Sequence, residues 1–156
     1  MVQIHPPLPL LLSNLSASKL RKITEHTADA GIEVEAFSLP EAFHEVSLAF
    51  TEIVTGGNLP QSKHSHVIEL ESTELDSLLV KFVSDLIFLF DTEDFLVGSA
   101  KVEIKVVPPF VLKGTLFGDT YNQSEHGYGV EIKAVSYHLL EVISGPPSKI
   151  KVILDL

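Results

Sequence analysis

The stretch Leu75-Asp-Ser-Leu-Leu-Val-Lys-Phe-Val-Ser-Asp-Leu-Ile-Phe-Leu-Phe90 and the segment Lys101-Val-Glu-Ile-Lys-Val106 that follows it decide the fold class. In the first, Leu75, Leu78, Leu79, Phe82, Val83, Leu86 and Phe90 recur at i, i+3, i+4 and i+7, which lines one face of an α-helix. In the second, Val102, Ile104 and Val106 alternate with Lys101, Glu103 and Lys105, the period of a half-buried strand. The period changes from residue 97 onward and stays at two. Downstream, Pro108-Pro109 punctuates, and 110–117, 130–142 and 149–154 read as further strands. Upstream, Thr73 or Ser72 is placed to cap the helix, whose first turn holds Glu74 and Asp76 in the favourable field of the helix dipole. His66-Val-Ile-Glu-Leu70 precedes it as a strand. Ser38-Leu-Pro-Glu41 has the form of a helix start, with Ser as N-cap, Pro in the first turn and Glu three residues after Ser. Phe43, Val46, Phe50 and Ile53 then follow at helical spacing until Gly56-Gly57, giving a helix over 39–55. Ile32, Val34 and Ala36 alternate in a strand over 31–38, preceded by one over 19–24, with Asp29-Ala-Gly31 in the turn between them. Two helices and six or seven strands, most joined by short turns, predict an α+β fold: a mainly antiparallel sheet with both helices packed on one face. The apolar run Leu86–Phe90 continues a helix with acids on both sides, so it reads as core.

The chain has 156 residues, enough to bury about two-thirds of its unfolded surface, and one domain over 19–156 is expected. It has no cysteine, which excludes a disulfide framework, a zinc-thiolate site, an iron–sulfur cluster and a Cys nucleophile. Its formal net charge is −10, so direct binding of DNA or RNA across a broad face is not expected, whereas cations and basic protein surfaces are not repelled. The charge is uneven. Residues 1–24 hold Lys19, Arg21 and Lys22 and no acid, residues 25–99 hold 15 acids against Lys63 and Lys81, and residues 100–156 balance at 6 against 6. The middle block therefore predicts an acidic face. Pro7-Leu-Pro-Leu-Leu-Leu12 is apolar, but no basic residue precedes Lys19, and the run is too short and proline-rich for a membrane span. Residues 1–18 read as a flexible N-terminal extension of a cytoplasmic protein.

Candidate chemistry is sparse. No G-x-S-x-G elbow, Walker loop or H-E-x-x-H helix is present. His64-Ser-His66 puts two imidazoles on one face of a strand at metal-ligand spacing, but no third ligand is fixed and ordinary strand histidines are the simpler reading. Gly127-Tyr-Gly129 leads into a strand, so it lacks the helix N-terminus that would hold an anion. Asp29 sits where an Asp often caps a turn through its own backbone. Asp155 is more unusual: it ends the apolar strand Ile150-Lys-Val-Ile-Leu154 and precedes the carboxylate of Leu156, an oxygen-rich pair suited to a hard cation such as Ca²⁺ or Mg²⁺. A frayed, solvated terminus is the bland alternative. A metal-dependent hydrolase built on these acids would need a general base or nucleophile that the sequence does not place.

Five separated blocks share their order and spacing with a known family: Glu25-His-Thr-Ala-Asp-Ala-Gly-Ile32, the Pro40–Phe43 helix start, Leu89-Phe-Asp-Thr-Glu93, His126 before Val130-Glu-Ile-Lys-Ala-Val-Ser-Tyr-His138, and Val152-Ile-Leu-Asp-Leu156. From about residue 20 to the end the chain resembles archease. That resemblance implies a non-enzymatic activator of an RtcB-type RNA ligase in tRNA splicing and RNA repair, which promotes ligase guanylylation and multiple turnover. It implies a divalent cation, Ca²⁺ or Mg²⁺, held by Asp29, Asp155 and Leu156, with Lys133 and His26 functional beside it and no catalytic residue. An NTP contact at the ligase interface fits the same picture. A chaperone-like modulator of RNA-modifying enzymes, needing no metal, is the alternative. Two positions depart from the family pattern: Glu125 stands where a basic residue is usual before the loop His, and Ser136 where Thr is usual.

Overall fold

A computed structural model describes residues 19–156; the expected extension over 1–18 lies outside the described residues. The elements run β1 (Leu20–Glu25), β2 (Asp29–Ala36), α1 (Leu39–Thr55), β3 (His64–Ser72), α2 (Leu75–Glu93), β4 (Phe95–Lys105), β5 (Phe110–Thr120), α3 (Gln123–His126), β6 (Ala134–Ile143) and β7 (Ser148–Asp155). The fold is α+β with antiparallel pairing, as the periodicities predict. The seven strands are divided between two sheets: a four-stranded sheet in the order β1-β2-β7-β6 and a three-stranded sheet in the order β3-β5-β4.

The division explains the burial of α1. Its start is the predicted one: the Ser38 hydroxyl accepts the Glu41 amide at 3.3 Å and donates to the Glu41 carboxylate at 3.1 Å. Its stop is also as read, with Gly56 left-handed at φ 82 and its amide donating to the Glu52 carbonyl. Between them the helix packs against β1, β2 and β7 on one side and β4 on the other. It is therefore buried well beyond one stripe, and even Ser47, Thr51 and Thr55 are closed off from solvent. Thr51 meets the cost by donating its hydroxyl to the Val97 carbonyl at 2.7 Å, next to the point where the β4–β5 register shifts between Val97 and Ser99. Phe43 of α1 and Phe82 of α2 meet edge to face at 5.3 Å, so one apolar core joins both helices and both sheets.

Some boundaries move. Asp29 is the first residue of β2 rather than part of the turn, which is closed by the His26 amide donating to the Asp29 carbonyl. The N-cap of α2 is Glu74 without a side-chain bond; Ser72 ends β3 and accepts the Glu74 amide from there. The run Leu86–Phe90 is core only in part, because Leu86 is buried while Phe88 is 60% exposed on the opposite side of the helix. The strand expected over 130–142 begins at Ala134, since the Gly129 and Val130 amides are drawn to the Val54 and Ile53 carbonyls at the end of α1. Among the described residues no helix is long and apolar enough to cross a membrane.

Candidate functional site

Strand pairing brings the predicted metal ligands together. β2 and β7 are antiparallel with Asp29 opposite Asp155, and Asp155 is in turn opposite Ala134 at the start of β6. Directly opposed residues of an antiparallel pair point to the same face. Ala30 opposite Leu154, Ile32 opposite Val152 and Val34 opposite Ile150 face the core, so Asp29 and Asp155 face outward with Glu33 and Lys151. The strand ends are tied down on both sides: the Lys133 amide donates to the Asp155 carbonyl at 2.8 Å, and the Leu156 amide to the Ala28 carbonyl at 3.0 Å. Thus Asp29, Lys133, Asp155 and Leu156, distant in sequence, meet at one end of the four-stranded sheet. His26 lies in the β1–β2 turn beside them and is exposed.

The electrostatics of this end are unusual. Like charges placed directly opposite on neighbouring strands repel. Among the described residues neither Asp29, Asp155 nor Lys133 has a side-chain hydrogen bond or ion pair. Further along the same face the charges alternate across the strands, Lys22 opposite Glu33 opposite Lys151 opposite Glu141. The donor set at the end of the sheet is all oxygen, which fits a hard dication.

His64 and His66 do not form a ligand pair. The His66 ring stands edge-on to Phe95, with its Nε2 3.4 Å from Glu93, whereas His64 Nε2 lies 3.8 Å from Asp119. Gly127-Tyr-Gly129 is a loop, as read, packed on the end of α1. Gly127 has φ 82 and ψ −171, a positive-φ conformation reached essentially only by glycine, and a Cβ there would come within 2.9 Å of the Thr55 carbonyl. This packing holds His126, whose carbonyl accepts from the Asn58 side chain at 2.8 Å and whose ring stacks on Tyr121.

Around His126 the structure assembles a group that sequence reading did not single out. Asp119, Glu125 and His126 each offer a ligand atom within 4.8 Å of the others. Burial works to raise the Asp119 carboxyl, but the Thr120 amide and Lys63 outweigh it and hold it below the ordinary carboxylate value. In sequence Asp119 is an unremarkable acid at a strand end, Glu125 is notable only for replacing a basic residue, and His126 only as a landmark. The adjacent Glu125-His126 pair before a glycine is the one local signal.

Residues 22–156 match the model of the Archease protein family (MTH1598/TM1083). The chain belongs to the archease family. Relatives include Protein archease of Pyrobaculum neutrophilum, 36% identical over 121 residues that cover 76% of this chain and 82% of the relative. Protein archease of Pyrococcus furiosus is 34% identical over 119 residues, covering 76% and 84%. Among solved structures, Methanobacterium thermoautotrophicum protein 1598 superposes with a TM-score of 0.74 at 32% identity, covering 87% of this chain and 98% of that one. The crystal structure of "an archease, possible chaperone" from Thermotoga maritima gives 0.57 at 26% identity, covering 87% and 97%. The archease resemblance of the five sequence blocks is thereby established, and the α+β fold is the archease fold.

Proposed function

We propose that this archease-family protein activates an RtcB-type RNA ligase, without being an enzyme itself, through a divalent cation held by Asp29, Asp155 and the carboxylate of Leu156. The observation that carries the reading is the Asp29–Asp155 cross-strand pair, two carboxylates directly opposed with no cation against them among the described residues. A Ca²⁺ or Mg²⁺ ion there offsets their repulsion and, when bound, supplies positive charge that can stabilise the anionic groups of nucleotidyl transfer. The chain's own residues hold and present that charge. The hydrogen bond from the Leu156 amide to the Ala28 carbonyl keeps Leu156 beside Asp29, and that from the Lys133 amide to the Asp155 carbonyl keeps the loop before β6 beside the acids. Lys133, exposed and without a side-chain partner among the described residues, adds a cation that can meet a phosphate of an NTP or of the ligase complex. His26, in the adjoining turn, completes the rim. RNA binding is left to the partner, in keeping with the net charge of −10.

The test is multiple-turnover ligation by the cognate ligase with and without this protein. Asp29→Ala and Asp155→Ala are each expected to abolish stimulation while leaving the protein folded, and so is extension of the chain beyond Leu156. Stimulation that survives all three changes overturns the metal site; no stimulation by the unaltered protein overturns the ligase reading. The Thermotoga maritima protein's description as a possible chaperone favours a second reading, in which RNA-modifying enzymes are protected without a metal. Under it, none of the three changes alters protection of a client enzyme against aggregation.

A further inference from the structure

A second constellation of ligand-type side chains lies where β5 runs into α3. His126 is only 4% exposed, yet its Nε2 has no hydrogen-bond partner among the described residues. Nε2 points between two carboxylates, 3.7 Å from Asp119 Oδ2 and 3.8 Å from Glu125 Oε2. The Lys63 ammonium stands 3.5 Å from the first carboxylate and 3.9 Å from the second. All four separations exceed the usual range for hydrogen bonds to nitrogen, so the groups converge without bonding one another. Buried polar atoms are nearly always satisfied, and this nitrogen reaches neither acid, so the space between the three groups is open to a further partner.

Charge and donor type say which ligand. Two carboxylates against one ammonium leave an excess of negative charge, which selects a cation. One imidazole nitrogen with two carboxylate oxygens is the donor set of Zn²⁺ and its first-row neighbours, whereas Ca²⁺ and Mg²⁺ prefer oxygen alone. The spacing agrees: ligand atoms in a tetrahedral complex with bonds of about 2.1 Å are about 3.4 Å apart. The two Nε2–carboxylate separations need to close by only a few tenths of an ångström, and all three ligand atoms lie within 4.8 Å of one another. We propose that Asp119, Glu125 and His126 form a binding site for a zinc-class dication, with Lys63 as the internal counter-ion that the metal displaces.

Lys63 is able to leave, because its side chain is 52% exposed. The ring must also change. The Asn122 amide donates to His126 Nδ1 at 3.0 Å, which places the ring proton on Nε2. Metal binding takes the Nε2 lone pair, so the proton is transferred to Nδ1 through solvent and the ring stays neutral overall. The Asn122 amide then gives up its bond to Nδ1, because two N–H groups cannot donate to each other. This tautomer change is a signature that a purely structural histidine would not show.

The experiment titrates ZnCl₂ into the ¹⁵N-labelled full chain carrying Asp29→Asn and Asp155→Asn, so that the strand-end acids do not contribute. Calorimetry and the histidine ring ¹⁵N spectrum are the readouts. Saturable one-to-one binding is expected, with His126 passing from the Nε2–H to the Nδ1–H form and the Asn122 amide shifting. His126→Gln is expected to weaken binding by at least about tenfold, and Lys63→Met to tighten it several-fold. Absence of zinc uptake, unchanged affinity in His126→Gln, or a ring that keeps its Nε2 proton at saturating zinc overturns the proposal. Because Lys63→Met leaves every proposed ligand in place, it keeps the test valid if a ligand variant fails to fold.

Discussion

Two places in the molecule set one basic side chain and a histidine against two carboxylates, and they are built in opposite ways. In the first, Arg21 of β1 reaches across to α1. Its Nη1 donates to Glu45 at 2.5 Å, while Nε and Nη2 donate to both oxygens of Glu52 at 2.8 and 3.0 Å. In the second, Lys63 stands near Asp119 and Glu125 without bonding either, and His126 Nε2 is left unpaired. The planar guanidinium fork saturates two carboxylates at once, whereas an ammonium on a flexible stem is a point charge that water or a metal can replace. The difference teaches that composition alone does not separate a structural clamp from a receiving site. The number of satisfied donors does.

The largest expected effect is on the clamp. Arg21→Met should destabilise the protein by about 3 kcal/mol, the low end for breaking a buried pair, because Glu45 is left almost fully enclosed with no guanidinium against it. Urea unfolding measures this. The loss should be pH-dependent in a defined direction. Burial alone would raise the Glu45 carboxyl, but bonds from His44 and Arg21 more than reverse it and hold the group below the ordinary carboxylate range. A carboxyl depressed in the folded state stabilises fully above its unfolded pKa and loses that contribution as pH falls through the folded value. The stability difference between the unaltered chain and Glu45→Gln should therefore be constant above about pH 5 and shrink on acidification below it. A difference that grows on acidification would contradict the clamp.

The second effect falls on the loop that holds the receiving site. Gly127→Ala should cost about 2 kcal/mol, since it combines a positive-φ backbone with a close approach to the Thr55 carbonyl. It should also weaken zinc binding through displacement of His126. The smallest effect is the sharpest test. Lys63→Met should change stability by less than about 0.5 kcal/mol, as expected for an exposed ammonium with no hydrogen bond. If it costs as much as Arg21→Met in the same urea assay, the two places are alike and the contrast fails.

Much of the fold was legible because its signals are local. Ser38 and Gly56 bracket α1 through hydrogen bonds that span three or four residues, and the α2 and β4 periodicities each follow from one repeated spacing. Where reading failed, a distant partner intervened. The start of β6 is delayed to Ala134 because Gly129 and Val130 satisfy carbonyls at the end of α1. Phe88 is exposed although its run is apolar, because the packed face of α2 carries Leu79, Val83 and Leu86. The strand-end acids were legible through the family pattern at Asp29 and Asp155. The Asp119, Glu125 and His126 group was not, since Asp119 joins the adjacent Glu125-His126 pair only when β5 turns into α3.

By itself, then, the sequence determined which segments are helix and strand, the caps of the first helix, the excess of acid in the middle of the chain, and membership of the archease pattern. Those properties depend on interactions within a turn or two of backbone. The tertiary structure alone decided that seven strands form two sheets with α1 between them, and that Asp29 lies opposite Asp155. It also decided that one acidic cluster is closed by arginine and another is left receptive. Strand order and side-chain saturation are set by which distant segments share a core, and no local spacing encodes that choice.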